Sequence, residues 1–371
     1  MAETMSRVWI IDDDLSLQAA EALVGNGHDL TVTEPSDEAF LDALAEDWDL
    51  ILVDEELWEA EKRTPPHAVD GASLVMTMRA WARRVKRRLP SMAILTNAPG
   101  VFADEVPAVG AWRPVAASFI DHEPQMGRTL DVEWLFYKSD PELKAKVEDL
   151  ASAYERAYQE FGEGGTSFVE VKTYLGLNDR AEWIALAEDA IREARPPVTE
   201  DAANQPTPQR GPVTIIVWLL QRALAFPGLF VSDNHAAAFL GIKAEALDMA
   251  IEATPALAAC RYTGPLSQLV TRRWWTPALD ALAAASSSSE IPAWCEGLRP
   301  EDLLTVDDPV VTYDITLAEV GITSAADAVR VNPRGWPAEC LQPWMSRATI
   351  NEGPRWLKEM VDPDDRGGGA A

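Results

Sequence analysis

Cysteine is scarce in this 371-residue chain: Cys260, Cys295 and Cys340 lie far apart and form no CxxC pair. That spacing speaks against a disulfide framework and against a structural zinc site. Long apolar runs are missing too, since the best candidate, residues 213–220, is far below the ~18 residues a membrane-spanning helix needs. The stretch MAETMSRVWIIDDD has a short lead, a brief apolar run and then three acids, which is not a signal-peptide pattern. A cytoplasmic protein that avoids membranes is the expectation. Positive charge is the third shortage: 32 Lys and Arg face 60 Asp and Glu, for a formal net charge of −28. Such a surface disfavours broad binding to nucleic acids or anionic lipids, although one local basic patch remains compatible with it. What is present is ordinary for a globular chain, with 47% hydrophobic and 25% charged residues, and the length predicts two or three domains.

Short apolar runs alternate with helical patterns from the start. Strands are expected at residues 8–11, 30–33, 50–53 and 92–95, and a fifth at 116–120. Helices are expected at 15–26, 36–46 (behind Ser36 as N-cap) and 72–89. This βαβ rhythm implies a parallel sheet covered on both faces, with every strand ending on one edge where an open α/β sheet carries its site. The basic run RAWARRVKRRL at residues 79–89 reads as a solvated helix face backed by Trp81, Val85 and Leu89. Helices at 143–161 and 182–194 make a connector over residues 129–191. Residues 192–212, with five prolines, read as a linker. Residues 213–362 would then form a mostly helical output domain, and 363–371 a frayed tail.

Asp12, Asp13 and Asp14 follow the first strand, Asp54 follows the third, and Thr96 follows the fourth. All therefore meet at one sheet edge. Carboxylates from neighbouring strand ends make an oxygen-rich pocket suited to Mg²⁺, and a hydroxyl beside a nucleophilic carboxylate suits a transferred phosphoryl group.

Residues 6–128 resemble the receiver domain of two-component response regulators. The resemblance rests on RVWIIDDD, TVTEPSDEAFLDAL, DLILVDEE, DGASLVMTMRA and AILTNA. It implies a flavodoxin-like α/β fold and phosphorelay signalling. It also implies a metal pair at Asp12 and Asp13 completed by Asp54, phosphoacceptance at Asp54 and a switch hydroxyl at Thr96. The family carries a lysine followed by proline after its fifth strand, whereas the counterpart here, FIDHEP, places Glu123 before Pro124 with no lysine nearby. The stretch WEAEKRTPPHAVDG after Asp54 is also long, with Trp58 near the usual proline. On these grounds the expectation is a degenerate, non-enzymatic receiver that docks a histidine kinase or another protein, with homodimerisation as a further association.

DDDLS also resembles the DxDxT motif of haloacid dehalogenase-like phosphatases. That likeness would make Asp12 a nucleophile and Asp14 an acid–base, with residues 95–97 as second motif. Position 15 is Leu rather than Gly, and no GDxxxD follows. Further along, DNHAAAFLGIKAEALDMAIE has apolar residues at 236, 240, 242, 247 and 250 around Gly241, the spacing of a helix-turn-helix. A wing is expected from strands near 260–262 and 266–270, which would make the output domain winged-helix-like. Lys243, Arg261, Arg272 and Arg273 are its candidate DNA contacts. The second helix carries Glu245, Asp248 and Glu252, so DNA ranks below protein as a partner. The similar TLAEVGITSAADAV has Asp327 where the motif needs an apolar residue, and is not expected to form one.

Overall fold

The computed structural model describes residues 5–25, 27–35, 38–57, 70–97, 131–162, 167–177, 183–198, 211–286 and 292–365. Its N-terminal part is built from β1 (Arg7–Ile11), α1 (Leu17–Val24), β2 (Asp29–Thr33), α2 (Glu38–Leu44) and β3 (Leu50–Asp54). Next come α3 (Gly71–Val85), β4 (Ser91–Thr96), β5 (Trp134–Tyr137) and α4 (Leu143–Phe161). The strand order is β2-β1-β3-β4-β5 with every pair parallel, an open α/β sheet of flavodoxin-like order. Residues alternate between the two faces, as a strand's period of two requires. Trp9, Ile11, Ile51, Val53, Met92 and Ile94 face a core shared with Phe40 of α2 and Leu74, Val75 and Met78 of α3. Val8, Ile10, Leu50, Leu52, Ala93 and Leu95 face the opposite core, with Ala20 and Val24 of α1 and Val147, Leu150 and Ala151 of α4.

Two details of α3 matter for the site. Asp70 caps it, with Oδ1 accepting the Ser73 N–H at 2.7 Å. Gly71 then lies so close to β3 that a Cβ would stand 2.3 Å from the Asp54 carbonyl oxygen, so only glycine lets the helix start there. The helix stops at Val85 rather than 89, because Lys86 takes a left-handed conformation (φ 59°).

The expected fifth strand at 116–120 lies outside the described residues. The strand that pairs with β4 is β5, in the register Ala93↔Trp134 to Thr96↔Tyr137. WLFY is rich in aromatic and aliphatic residues that favour strands. At four residues it is too short to show alternation, which is why periodicity passes over it.

Beyond α4 come α5 (Phe168–Tyr174), α6 (Ile184–Glu193) and α7 (Gly211–Trp218), which continues into a π-helical turn at Leu219–Ala223. One apolar cluster runs from the sheet face through α4 into α7 and the helices after it. Asp149 of α4 reaches further: its carboxylate accepts the N–H of Leu266 at 3.1 Å and of Gln268 at 2.7 Å. The C-terminal part contains β6 (Phe230–Val231), α8 (Asp233–Leu240), α9 (Leu247–Ala253), α10 (Pro255–Ala258), β7 (Trp274–Trp275) and α11 (Thr276–Ser286). After these, β8 (Pro309–Tyr313), β9 (Glu319–Ser324), β10 (Ala328–Arg330) and β11 (Trp344–Ser346) form a four-stranded sheet ordered β10-β11-β8-β9.

Helices α8 and α9 flank Gly241, which is left-handed at φ 72°, and Ala236, Leu240, Ile242, Leu247 and Ala250 are all buried. The stretch around Asp327 is instead strand β9 and a single 3₁₀ turn. The expected wing strand at 266–270 is a turn, and Arg261 forms a single bridge to Trp274 instead. Leu266 itself is left-handed (φ 68°) and anchored by Asp149, a geometry that does not continue a strand. Among the described residues, no helix is long and apolar enough to cross a membrane.

One ion pair joins α3 to the start of β5. Arg79 Nη2 lies 2.7 and 2.8 Å from the two carboxylate oxygens of Glu133, which is fully buried and also accepts the Met92 N–H. Removing one partner of such a pair strands the other charge in the core. Glu133→Ala should lower unfolding free energy by about 3 kcal/mol in urea titration. The double variant Arg79→Met/Glu133→Leu should recover most of that loss. A single variant as stable as the wild type would contradict the assignment.

Candidate functional site

The carboxyl ends of β1, β3, β4 and β5 converge on one edge, and each delivers a side chain. Asp12 is the most firmly held. Its N–H donates to the Thr33 carbonyl at 3.1 Å, and its Oδ1 accepts the N–H groups of Asp14 and Leu15, both at 2.9 Å. Its Oδ2 accepts from Lys138 Nζ at 2.8 Å. The same ammonium stands 2.9 Å from Asp54 Oδ1. Lys138 therefore bridges two buried carboxylates that come from neighbouring strands.

This overturns the expectation that the pocket lacks a cation. Glu123, the expected counterpart of that cation, lies outside the described residues, and the residue following the fifth strand of the sheet is Lys138. Its N–H donates to the Thr96 carbonyl at 3.0 Å, a continuation of the β4–β5 ladder that fixes where the side chain begins. The signal was present in FYKSD: a short apolar run, a lysine, and then Asp140 turning the chain into α4, its Oδ1 accepting the Glu142 N–H at 2.8 Å.

Asp13, half-buried, completes the cluster. One carboxylate oxygen from each of Asp12, Asp13 and Asp54 lies within 4.8 Å of the others. Three carboxylates against one ammonium leave the pocket negative and lined with hard oxygen donors, a set that can hold a divalent cation such as Mg²⁺. Thr96 is fully buried, and its hydroxyl donates to the carboxylate of Glu55, the residue after Asp54. The switch hydroxyl and the phosphoacceptor candidate thus sit at adjacent strand ends, with Asp54 registered against Leu95.

Burial dominates the electrostatics of Asp54 and pushes its carboxyl up to about 6, although the hydrogen bond and charge of Lys138 pull the other way; Asp12 adds to the rise. For Lys138 burial disfavours the charge. The bonds to Asp12 and Asp54 outweigh it, so the ammonium titrates above its ordinary value.

The other candidates are dispersed. Asp14, the acid–base of the phosphatase resemblance, is exposed, as is Asn97. Of the basic run, Arg79 is committed to Glu133 and Arg88 to Asp49 at 2.6 Å, while Arg83 and Arg84 are exposed. Among the DNA candidates, Lys243 and Arg261 are exposed. Arg272 is clamped by Asp233, at 2.8 and 2.9 Å, and by Asp248, so it ties α8 to α9. Arg273 turns inward to the Leu224 carbonyl at 2.9 Å and the Thr271 hydroxyl at 2.7 Å. No protein-family model matches this sequence, and no curated protein matches it either.

An acid with a raised folded pKa binds more protons folded than unfolded, so its contribution to stability is present at low pH and is lost as pH rises. For Asp54 that window runs from its ordinary value of 3.8 up to about 6. Without added metal, Asp54→Asn should therefore be more stable than the wild type at pH 7.5, by about 2 kcal/mol. The difference should shrink toward zero as pH falls to 4. Denaturant titrations across this range check it, and a pH-independent difference would contradict the burial argument.

Proposed function

We propose that the N-terminal sheet is a receiver-type switch in which Asp54 accepts a phosphoryl group, and that it controls the C-terminal part of the same chain. The observation that carries this reading is Lys138 Nζ lying 2.8 Å from Asp12 and 2.9 Å from Asp54. The expectation of a degenerate receiver rests chiefly on the lack of that cation. With it in place, the fuller resemblance is favoured: metal pair, phosphoacceptor, hydroxyl and lysine. Two departures remain, since Ser139 rather than proline follows the lysine, and the long stretch after Asp54 falls mostly outside the described residues.

In this reading the donor is a phosphohistidine on a kinase. A carboxylate oxygen of Asp54 attacks phosphorus, the P–N bond breaks, and the imidazole leaves with its electron pair. Lys138 stands where it can offset the charge on the phosphoryl oxygens. At ~4 Å, a cation instead of a carboxylate changes that interaction by several kcal/mol at an effective dielectric near 20. Asp12, Asp13 and Asp54 would hold Mg²⁺, which supplies further charge neutralisation. Thr96 would exchange its bond to Glu55 for one to the phosphoryl group, repacking the β4 end.

A protein partner is favoured over DNA. Of the four proposed DNA contacts, Arg272 is spent on Asp233 and Asp248, and Arg273 turns inward to Leu224 and Thr271. A recognition surface built on the same helices keeps only Lys243 and Arg261 as exposed cations among those four candidates.

Acetyl phosphate with Mg²⁺, followed by intact-mass measurement, tests the reading. The wild type should gain the mass of one phosphoryl group, lose it in hydroxylamine, and show no gain as Asp54→Ala or in EDTA. A wild type that stays unmodified, or an Asp54→Ala variant that gains the same mass, would contradict it.

A further inference from the structure

A cavity of about 370 Å³ lies where the π-helical turn, β6 and the start of α8 face strands β8 and β9. Its size falls within the range of small-molecule sites. Three aromatic rings line it at near right angles. Phe226 and Trp336 meet at 77° with centroids 5.0 Å apart, and Trp336 and Tyr313 meet at 83° with centroids 5.7 Å apart. Trp336 thus meets both neighbours edge to face, and the three rings form one aromatic wall of the cavity. The indole is held in this pose by its N–H, which donates to the Leu341 carbonyl at 3.0 Å.

Two opposite charges share the same walls. Glu319 accepts from the Ser232 hydroxyl at 2.7 Å and the Asn234 amide at 3.1 Å, and lies 3.3 Å from His235 Nδ1. Burial alone would raise its pKa, but these partners hold it down to about 2, so it is a fixed anion. Arg273 is the fixed cation. Its hydrogen-bond partners, the Leu224 carbonyl and the Thr271 hydroxyl, are both neutral. Among the described residues no carboxylate forms an ion pair with it, in contrast to the neighbouring Arg272, which has two. Burial disfavours the charge of Arg273 and nearby Glu319 supports it without a direct ion pair, so an anionic ligand group at this wall would add the missing contact partner. The π turn ends at Leu224, the residue whose carbonyl Arg273 grips, and such turns occur frequently at functional sites.

We propose that this cavity binds a small zwitterion, with its ammonium head against the aromatic wall of Phe226, Tyr313 and Trp336 beside Glu319, and its carboxylate on Arg273. The negative faces of aromatic rings attract a compact cation, and a nearby carboxylate strengthens that attraction. A purely anionic ligand would satisfy Arg273 but meet Glu319 as a like charge. A purely cationic ligand would suit the aromatic wall and Glu319 but meet Arg273 as a like charge. Only a molecule carrying both charges a few bonds apart answers both walls.

Isothermal titration of the full chain with three probes separates these terms without altering the protein. Glycine betaine carries both charges; choline lacks the carboxylate; tert-butylacetate has the shape of betaine with a neutral quaternary carbon. Betaine should bind saturably at one site per chain, and the other two at least roughly tenfold more weakly. Trp336→Leu should weaken betaine by a similar factor while retaining the wild-type circular dichroism spectrum. No saturable heat from betaine would overturn the proposal. So would tert-butylacetate or choline binding as well as betaine, or a folded Trp336→Leu chain that binds as the wild type does.

Discussion

The bridge made by Lys138 between Asp12 and Asp54 is the constraint on which the N-terminal architecture turns. Two buried carboxylates from adjacent strands repel each other, and the two could not readily stay ionised together without a cation between them. The ammonium arrives only because β5 pairs in parallel with β4 and ends one residue before it. β5 in turn is held at its start by Glu133, which is locked to Arg79 of α3 and to the backbone of β4. Gly71 allows α3 to begin directly over Asp54. Sheet register, a buried ion pair and one glycine therefore converge on the placement of a single side chain.

The same helix that follows Lys138 leads out of this domain. α4 packs its apolar face on the sheet and on α7, and its Asp149 holds the turn at Leu266–Gln268 through two backbone N–H groups. A change at the carboxyl ends of β4 and β5 thus has a short covalent and packed route to the C-terminal part. That part is itself tightly cross-braced: Arg272 ties α8 to α9, and the Trp274 indole N–H donates to Asp233 at 2.7 Å. Arg272, a candidate ligand contact in the sequence, is structural in three dimensions. The polar cavity near Arg273 and Glu319 is the exception, because there the charges line an open space.

Most of the sheet was legible because its strands are buried on both faces. VWII, LILV and MAIL are continuous apolar runs of strand length, and each is followed by a polar residue at the functional edge. Helix α4 reads off its apolar spacing from Leu143 to Phe161 without error. The Gly241 turn was also visible, since small and apolar residues recur at the positions that α8 and α9 bury. The fifth strand was not legible. Four residues carry no period, and 116–120 offered an equally short alternative nearer to β4. With the fifth strand read at 116–120, the residue expected to follow it is not Lys138. Internal ion pairs such as Arg272 with Asp233 and Asp248 were hidden for a different reason: they depend on how helices stack, which local sequence does not encode.

If Asp12, Asp13 and Asp54, poised by Lys138, act as one pocket, they bind a divalent cation together. Isothermal titration with Mg²⁺ at pH 7.5 tests it most directly. A single saturable site is expected in the wild type, weakened at least roughly tenfold in Asp13→Asn, which removes one of the three clustered carboxylate donors. Absence of Mg²⁺ binding in the wild type, or equal binding in the folded Asp13→Asn chain, would contradict it.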